Sequence, residues 1–132
     1  MTEDLSFKQD ELPEDRTLLI VDDDKAFLQR VARAMELRGF EVRSASSVSE
    51  GVELIRQLAP AFAVIDMRLE DGSGLDVIAE LGRLRPNARA IILTGYGNIA
   101  TAVTAVKLGA VDYLAKPADA DEITAALLAP AN

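Results

Sequence analysis

Five short apolar runs, each followed by a stretch of helical spacing, constrain this chain more than any other feature. The runs are "LLIV" at Leu18, "EVRSA" at Glu41, "AFAVI" at Ala61, "AIILT" at Ala90 and "DYLA" at Asp112. Each is strand-length, and three are almost continuously apolar, as strands covered on both faces must be. Between the runs the period changes. Phe27, Val31, Ala34 and Met35 share one helical face, with Gly39 placed to cap its C-terminus. Ser47 and Glu50 have capping-box spacing for a helix carrying Val48, Val52, Ile55 and Leu58. Ser73, between the turn glycines Gly72 and Gly74, opens a third helix with Leu75, Ile78 and Leu81. Asn98 can cap a fourth, whose Ile99, Ala102, Val103 and Val106 line one core-facing side before Gly109. Asp119 and Glu122 box a short fifth helix carrying Ile123 and Leu127. Five β–α repeats with short connections predict an α/β fold, a parallel sheet with helices on both faces.

With 132 residues, nearly half of them hydrophobic, the chain can bury one sizeable core. Residues 1–16 read as a mobile acidic leader, residues 17–128 as the folded domain, and residues 129–132, with Pro130, as the start of a linker. The leader holds six acids and two bases, half of the formal net charge of −8. Such a charge repels nucleic acid, so the chain is not expected to bind DNA unaided. It contains no cysteine and no histidine. Disulfides, thiolate or imidazole metal sites, and Ser-His or Cys-His nucleophile pairs are therefore impossible within it. No apolar stretch is long enough to span a bilayer and the leader lacks a signal peptide's apolar core, so a cytoplasmic protein is expected.

In an open parallel sheet the strand C-termini share one edge, and ligands bind there. Here strand one ends in Asp22 and Asp23, strand three in Asp66, strand four in Thr94, and strand five in Lys116 followed by Pro117. Three carboxylates in a small volume make a hard, oxygen-rich site suited to Mg²⁺, which accepts few protein ligands and keeps several waters. Lys116 adds a point charge and Thr94 a hydroxyl, so the set matches the oxygens of a phosphoryl group in transfer. Asp66, at the centre, fits the carboxylate nucleophile that forms an acyl phosphate. Asp24 continues the acidic run, but an N-cap role for the first helix suits it at least as well.

The stretches "LLIVDDD", "AVIDMRLEDGSG", "IILTGYG" and "DYLAKP" resemble the receiver domain of two-component response regulators, across about Thr17–Leu128. The resemblance implies a flavodoxin-like, doubly wound (βα)5 fold with a five-stranded parallel sheet in order 2-1-3-4-5. It implies that Asp66 is the phosphoacceptor, that Asp22 and Asp23 hold Mg²⁺ with Asp66 and the backbone carbonyl of Arg68, and that Thr94 and Lys116 contact the phosphoryl oxygens. Tyr113 would be the switch aromatic, and the Lys116–Pro117 bond is commonly cis in this family. Arg68 and Tyr96 stand where family side chains screen the attacking water, so a long-lived phosphoryl state is expected. A sensor histidine kinase would be the donor. The domain would act as a signalling module that catalyses only its own phosphorylation and dephosphorylation. Homodimerisation through the face of helix four, strand five and helix five is a further family possibility.

"FLQRVARAMELRGFEV", "DMRLEDGSGLDVI" and "LTGYGNIATAVTAVKLGAVDYLAKPADADEI" are similar to the RegA/PrrA/ActR group of global redox response regulators. In that group a proline-containing linker and a Fis-like helix-turn-helix domain follow the receiver. The 16 residues after Lys116 cannot hold both a fifth helix and such a unit. The expectation is thus the receiver part of a longer, redox-responsive transcription regulator, touching DNA only through an output domain outside this chain. Two other readings compete. "IVDDDKA" also fits the opening motif of haloacid-dehalogenase-like phosphatases, with Asp22 as nucleophile, but that leaves Asp66 without a role. A stand-alone receiver working only through protein binding would not need the full set of acids, hydroxyl and lysine.

Overall fold

The computed structural model describes residues 14–95 and 99–129. Most of the acidic leader, Tyr96, Gly97, the Asn98 cap and Pro130 lie outside the described residues. In chain order the elements are β1 (Thr17–Val21), α1 (Lys25–Leu37), β2 (Glu41–Ala45), α2 (Val48–Leu58), β3 (Phe62–Asp66), β4 (Arg68–Leu69), β5 (Gly72–Ser73), α3 (Gly74–Leu84), β6 (Arg89–Thr94), α4 (Ile99–Lys107), β7 (Asp112–Ala115) and α5 (Ala120–Leu128). The long strands pair in parallel in the order β2-β1-β3-β6-β7, which is the expected 2-1-3-4-5 arrangement of five strands. The flavodoxin-like fold is thereby established. β4 and β5, which the sequence suggested only as a turn, form a separate two-stranded antiparallel ribbon.

Successive side chains of a strand point to opposite faces, so the three apolar central strands feed two cores. Leu18 and Ile20 of β1 pack with Phe27, Val31 and Met35 of α1 and Ile123 and Leu127 of α5. Leu19 and Val21 pack on the other side with Ile55 of α2, Val77, Ile78 and Leu81 of α3, and Ala105 of α4. Each fully buried aliphatic side chain contributes about 1.5–3 kcal/mol from removal of its surface from water. Helix starts follow the sequence closely. Asp24, Ser47, Ser73 and Asp119 are N-caps whose side chains accept a first-turn amide. The Asp119–Glu122 box is complete in both directions.

Two local expectations need correction. Ser47 accepts the Glu50 amide at 3.1 Å, but the Glu50 carboxylate does not return to Ser47. It reaches one residue further, to the amide and hydroxyl of Ser46 at 2.7 and 3.0 Å, because Ser46 offers two donors where the box offers one. The second correction concerns α4. Val103 and Val106 are 48% and 46% exposed, while Ala102 and Ala105 face the core with no exposed surface. Small side chains let α4 sit close to the sheet, and the larger valines are displaced outward. In "IATAVTAVK" the spacing of Thr101, Thr104 and Lys107 makes one polar stripe, and the wide apolar arc left over does not mark which part of it faces the sheet.

Candidate functional site at the strand C-termini

Backbone pairing carries three chain segments to the same edge. The Asp22 amide donates to Ala45 at the end of β2, the Met67 amide to Leu93 of β6, and the Lys116 amide to Thr94 at the end of β6. The side chains that leave these points converge. One oxygen from each of Asp22, Asp23 and Asp66 lies within 4.8 Å of the others. The Lys116 ammonium donates to Asp22 Oδ2 at 3.1 Å and to Asp66 Oδ2 at 3.3 Å. Four of the residues singled out in the sequence therefore form one cluster.

Asp22 is fully buried, and both its oxygens are engaged: Oδ1 accepts the Asp24 amide at 2.9 Å and Oδ2 accepts Lys116. Asp66 is 5% exposed. Burial pushes its carboxyl above the usual carboxylate range, the charge of Asp22 adds to the rise, and Lys116 and the Arg68 amide pull partly back. Burial alone would lower the Lys116 ammonium, yet the charges of Asp66 and Asp22 overcome it and hold it above its ordinary value. The ammonium also lies 5.2 Å from the centre of the Phe27 ring, so its open side faces a π surface. Two carboxylate charges at 4.8 Å repel by about 3–4 kcal/mol at an effective dielectric near 20. One ammonium against three carboxylates leaves two negative charges uncompensated. Hard oxygen donors with that deficit fit a divalent cation such as Mg²⁺.

The other sequence candidates stand differently. Thr94 is buried at the end of β6, but its hydroxyl donates to the Gly95 carbonyl at 2.6 Å rather than to the cluster. Tyr113 lies on β7 and is 42% exposed, which disfavours a purely packing role. The Arg68 side chain is exposed, and its backbone amide favours the ionised form of Asp66. Asp24 caps α1 through the Phe27 amide at 3.1 Å, as its position suggested. The Lys116–Pro117 peptide is cis. Sequence reasoning did not foresee Phe27 under the ammonium, nor the reason for glycine at position 74. A Cβ there would lie 2.2 Å from the Asp66 carbonyl oxygen. The only sequence signal was a glycine directly after a helix cap, which reads as a turn.

Among the described residues, no helix is long and apolar enough to cross a membrane. The profile of the response regulator receiver domain matches residues 18–128. The photosynthetic apparatus regulatory protein RegA of Rhodobacter capsulatus is 63% identical over 119 residues, covering 90% of this chain and 65% of RegA. The acid tolerance regulatory protein ActR of Rhizobium meliloti (strain 1021) is 66% identical over 114 residues, covering 86% of this chain and 59% of ActR. The chain thus spans less than two thirds of these relatives' lengths. A crystal structure of a response regulator from Burkholderia pseudomallei, with a phosphorylated aspartic acid, calcium ion and citrate, superposes with a TM-score of 0.81 at 46% identity, covering 86% of this chain and 66% of that one. A receiver domain structure from Clostridium thermocellum gives 0.78 at 34% identity, covering 84% of this chain and 90% of that one. Fold, converging strand ends and these likenesses lead to one conclusion: the chain belongs to the receiver domain family of two-component response regulators.

Proposed function

We propose that Asp66 accepts a phosphoryl group from a phosphohistidine on a sensor histidine kinase. An Asp66 oxygen bonds to phosphorus as the P–N bond breaks, and the imidazole leaves. The convergence of Asp22, Asp23 and Asp66 around one ammonium is the observation that carries this reading. A 46% identical relative whose structure contains a phosphorylated aspartic acid supports it. Asp22, Asp23, Asp66 and the Arg68 carbonyl would hold Mg²⁺, which supplies neutralisation of the charge that builds on the transferring group. Lys116 moves from its two carboxylates to pair with the new phosphate. Thr94 exchanges its bond to Gly95 for one to a phosphoryl oxygen, and Tyr113 turns inward into the space released. Asp22 suits a nucleophile poorly, since it is fully buried with both oxygens engaged.

The switch is a population shift between two states, driven by a phosphate that only one state binds well. Its readout would be the face of α4 and β7, where Val103, Val106 and Tyr113 are exposed and available to a second copy or an output domain. The likeness to RegA and ActR supports a place in a longer, cytoplasmic transcription regulator, with DNA bound by another part of it. Residues 17–128 would be the phosphoacceptor unit. Incubation with acetyl phosphate and Mg²⁺ is expected to add one phosphoryl mass to the wild type and none to Asp66→Ala. Equal incorporation by the variant would overturn the assignment.

A further inference from the structure

Asp71, at the turn of the β4–β5 ribbon, is tied to a helix more than twenty residues away. Its Oδ1 accepts the Val48 amide at 2.8 Å and its Oδ2 the Ser49 amide at 3.1 Å. These are the first two amides of α2. The third, of Glu50, goes to Ser47 Oγ at 3.1 Å, and the Gly51 amide bonds the Ser47 carbonyl at 3.0 Å. The donors that a helix start leaves open are thus divided between the helix's own cap and a carboxylate from the ribbon that follows β3 in the chain. The Val48 and Ser49 amides hold the Asp71 carboxyl below its ordinary value, and the positive end of the helix favours the anion further.

The ribbon's other end meets the acidic cluster. The Arg68 amide, two residues beyond Asp66, favours the ionised Asp66 carboxylate, and the Gly74 amide bonds the Met67 carbonyl at 2.8 Å. Only two residue pairs hold the ribbon together, Arg68 with Ser73 and Leu69 with Gly72. A ribbon that short is marginal without outside support. α2, by contrast, is firmly seated: Ile55 has no exposed surface, and a Cβ on Gly51 would lie 3.2 Å from Val21.

We propose that Asp71 is a positioning residue, whose clamp on the N-terminus of α2 holds the Arg68 backbone against Asp66 and so sets the cluster's affinity for a divalent cation. The inference rests on the metal-binding reading of that cluster for its second half only. Groups that orient metal ligands from outside the ligand shell typically change affinity 10–100-fold when removed.

The test uses this chain as wild type, Asp71→Ala, Asp71→Asn and Ser47→Ala. Amide hydrogen exchange of Arg68 in metal-free protein reads the clamp, calorimetric titration with Mg²⁺ reads its consequence, and thermal melting reports stability. Asp71→Ala is expected to speed Arg68 exchange and weaken Mg²⁺ binding about tenfold. Asp71→Asn keeps one acceptor and should fall between. Ser47→Ala removes only a helix cap, so it should lower the melting temperature and leave both other readouts unchanged. Unchanged Arg68 exchange in Asp71→Ala would overturn the clamp. Faster exchange with wild-type Mg²⁺ affinity would overturn its role at the cluster, as would equal weakening by Ser47→Ala. Absence of Mg²⁺ binding in the wild type would instead overturn the metal-binding reading itself, and the affinity half of this inference with it.

Discussion

At the scale of single residues, Asp66 holds a charge that its surroundings resist. Burial and Asp22 raise its carboxyl above 3.8, the ordinary value, so the folded state binds the proton more tightly than the unfolded chain does. The sign of the linkage follows: ionised Asp66 detracts from stability at neutral pH, and that penalty is relieved as pH falls through its raised value towards 3.8. Metal-free Asp66→Asn is therefore expected to unfold at higher urea than wild type at pH 7, with the gap closing on acidification. A variant less stable than wild type at pH 7 would show that the Lys116 bond outweighs the repulsion. Asp22, Asp23, Asp66 and Lys116 could be found in the sequence because strand ends in a parallel sheet meet by topology, whatever their separation along the chain. The hydroxyl direction of Thr94 could not, since one local bond to Gly95 decides it. Nor could the contact between Lys116 and Phe27, which depends on where α1 sits over the strand edge.

At the scale of elements, α3 begins so near the end of β3 that its first residue can carry no side chain. A methyl on Gly74 would overlap the Asp66 carbonyl oxygen and also lie 2.9 Å from Ile65 Cγ2. Backbone cannot yield as a flexible side chain can, so α3 must shift away from the strand that carries Asp66. Gly74→Ala is expected to lower the unfolding free energy by about 3 kcal/mol, the upper part of the usual overpacking range. Gly95→Ala, where a Cβ would meet nothing within 4 Å, should stay within about 0.5 kcal/mol of wild type. Urea denaturation of the two variants checks both, and equal costs would mean that the close approach at Gly74 is not what requires glycine. Helix starts were readable because a cap is a local event, whereas the facing of α4 was not. Its apolar residues fill all of the helix outside the stripe of Thr101, Thr104 and Lys107, and only contact with the sheet selects Ala102 and Ala105 for the inside.

At the scale of the whole molecule, the fold separates two tasks. The apolar strands β1, β3 and β6 form a rigid slab between two cores, and their C-terminal ends collect the charged groups. The exposed apolar side chains Val103, Val106, Leu108, Val111 and Tyr113 lie instead along α4, β7 and the turn between them. Chemistry at the sheet edge and contact at this face are joined through β6 and β7, which end in Thr94 and next to Lys116. The central claim is that the edge turns Asp66, and no other of the chain's acids, into an acyl phosphate. An acyl phosphate is reduced by borohydride to the corresponding alcohol, which would convert a phosphorylated aspartate to homoserine. After treatment with acetyl phosphate and Mg²⁺ and then borohydride, peptide mass spectrometry is predicted to find homoserine at position 66 alone. Homoserine at position 22 or 23, or at none, would contradict the account.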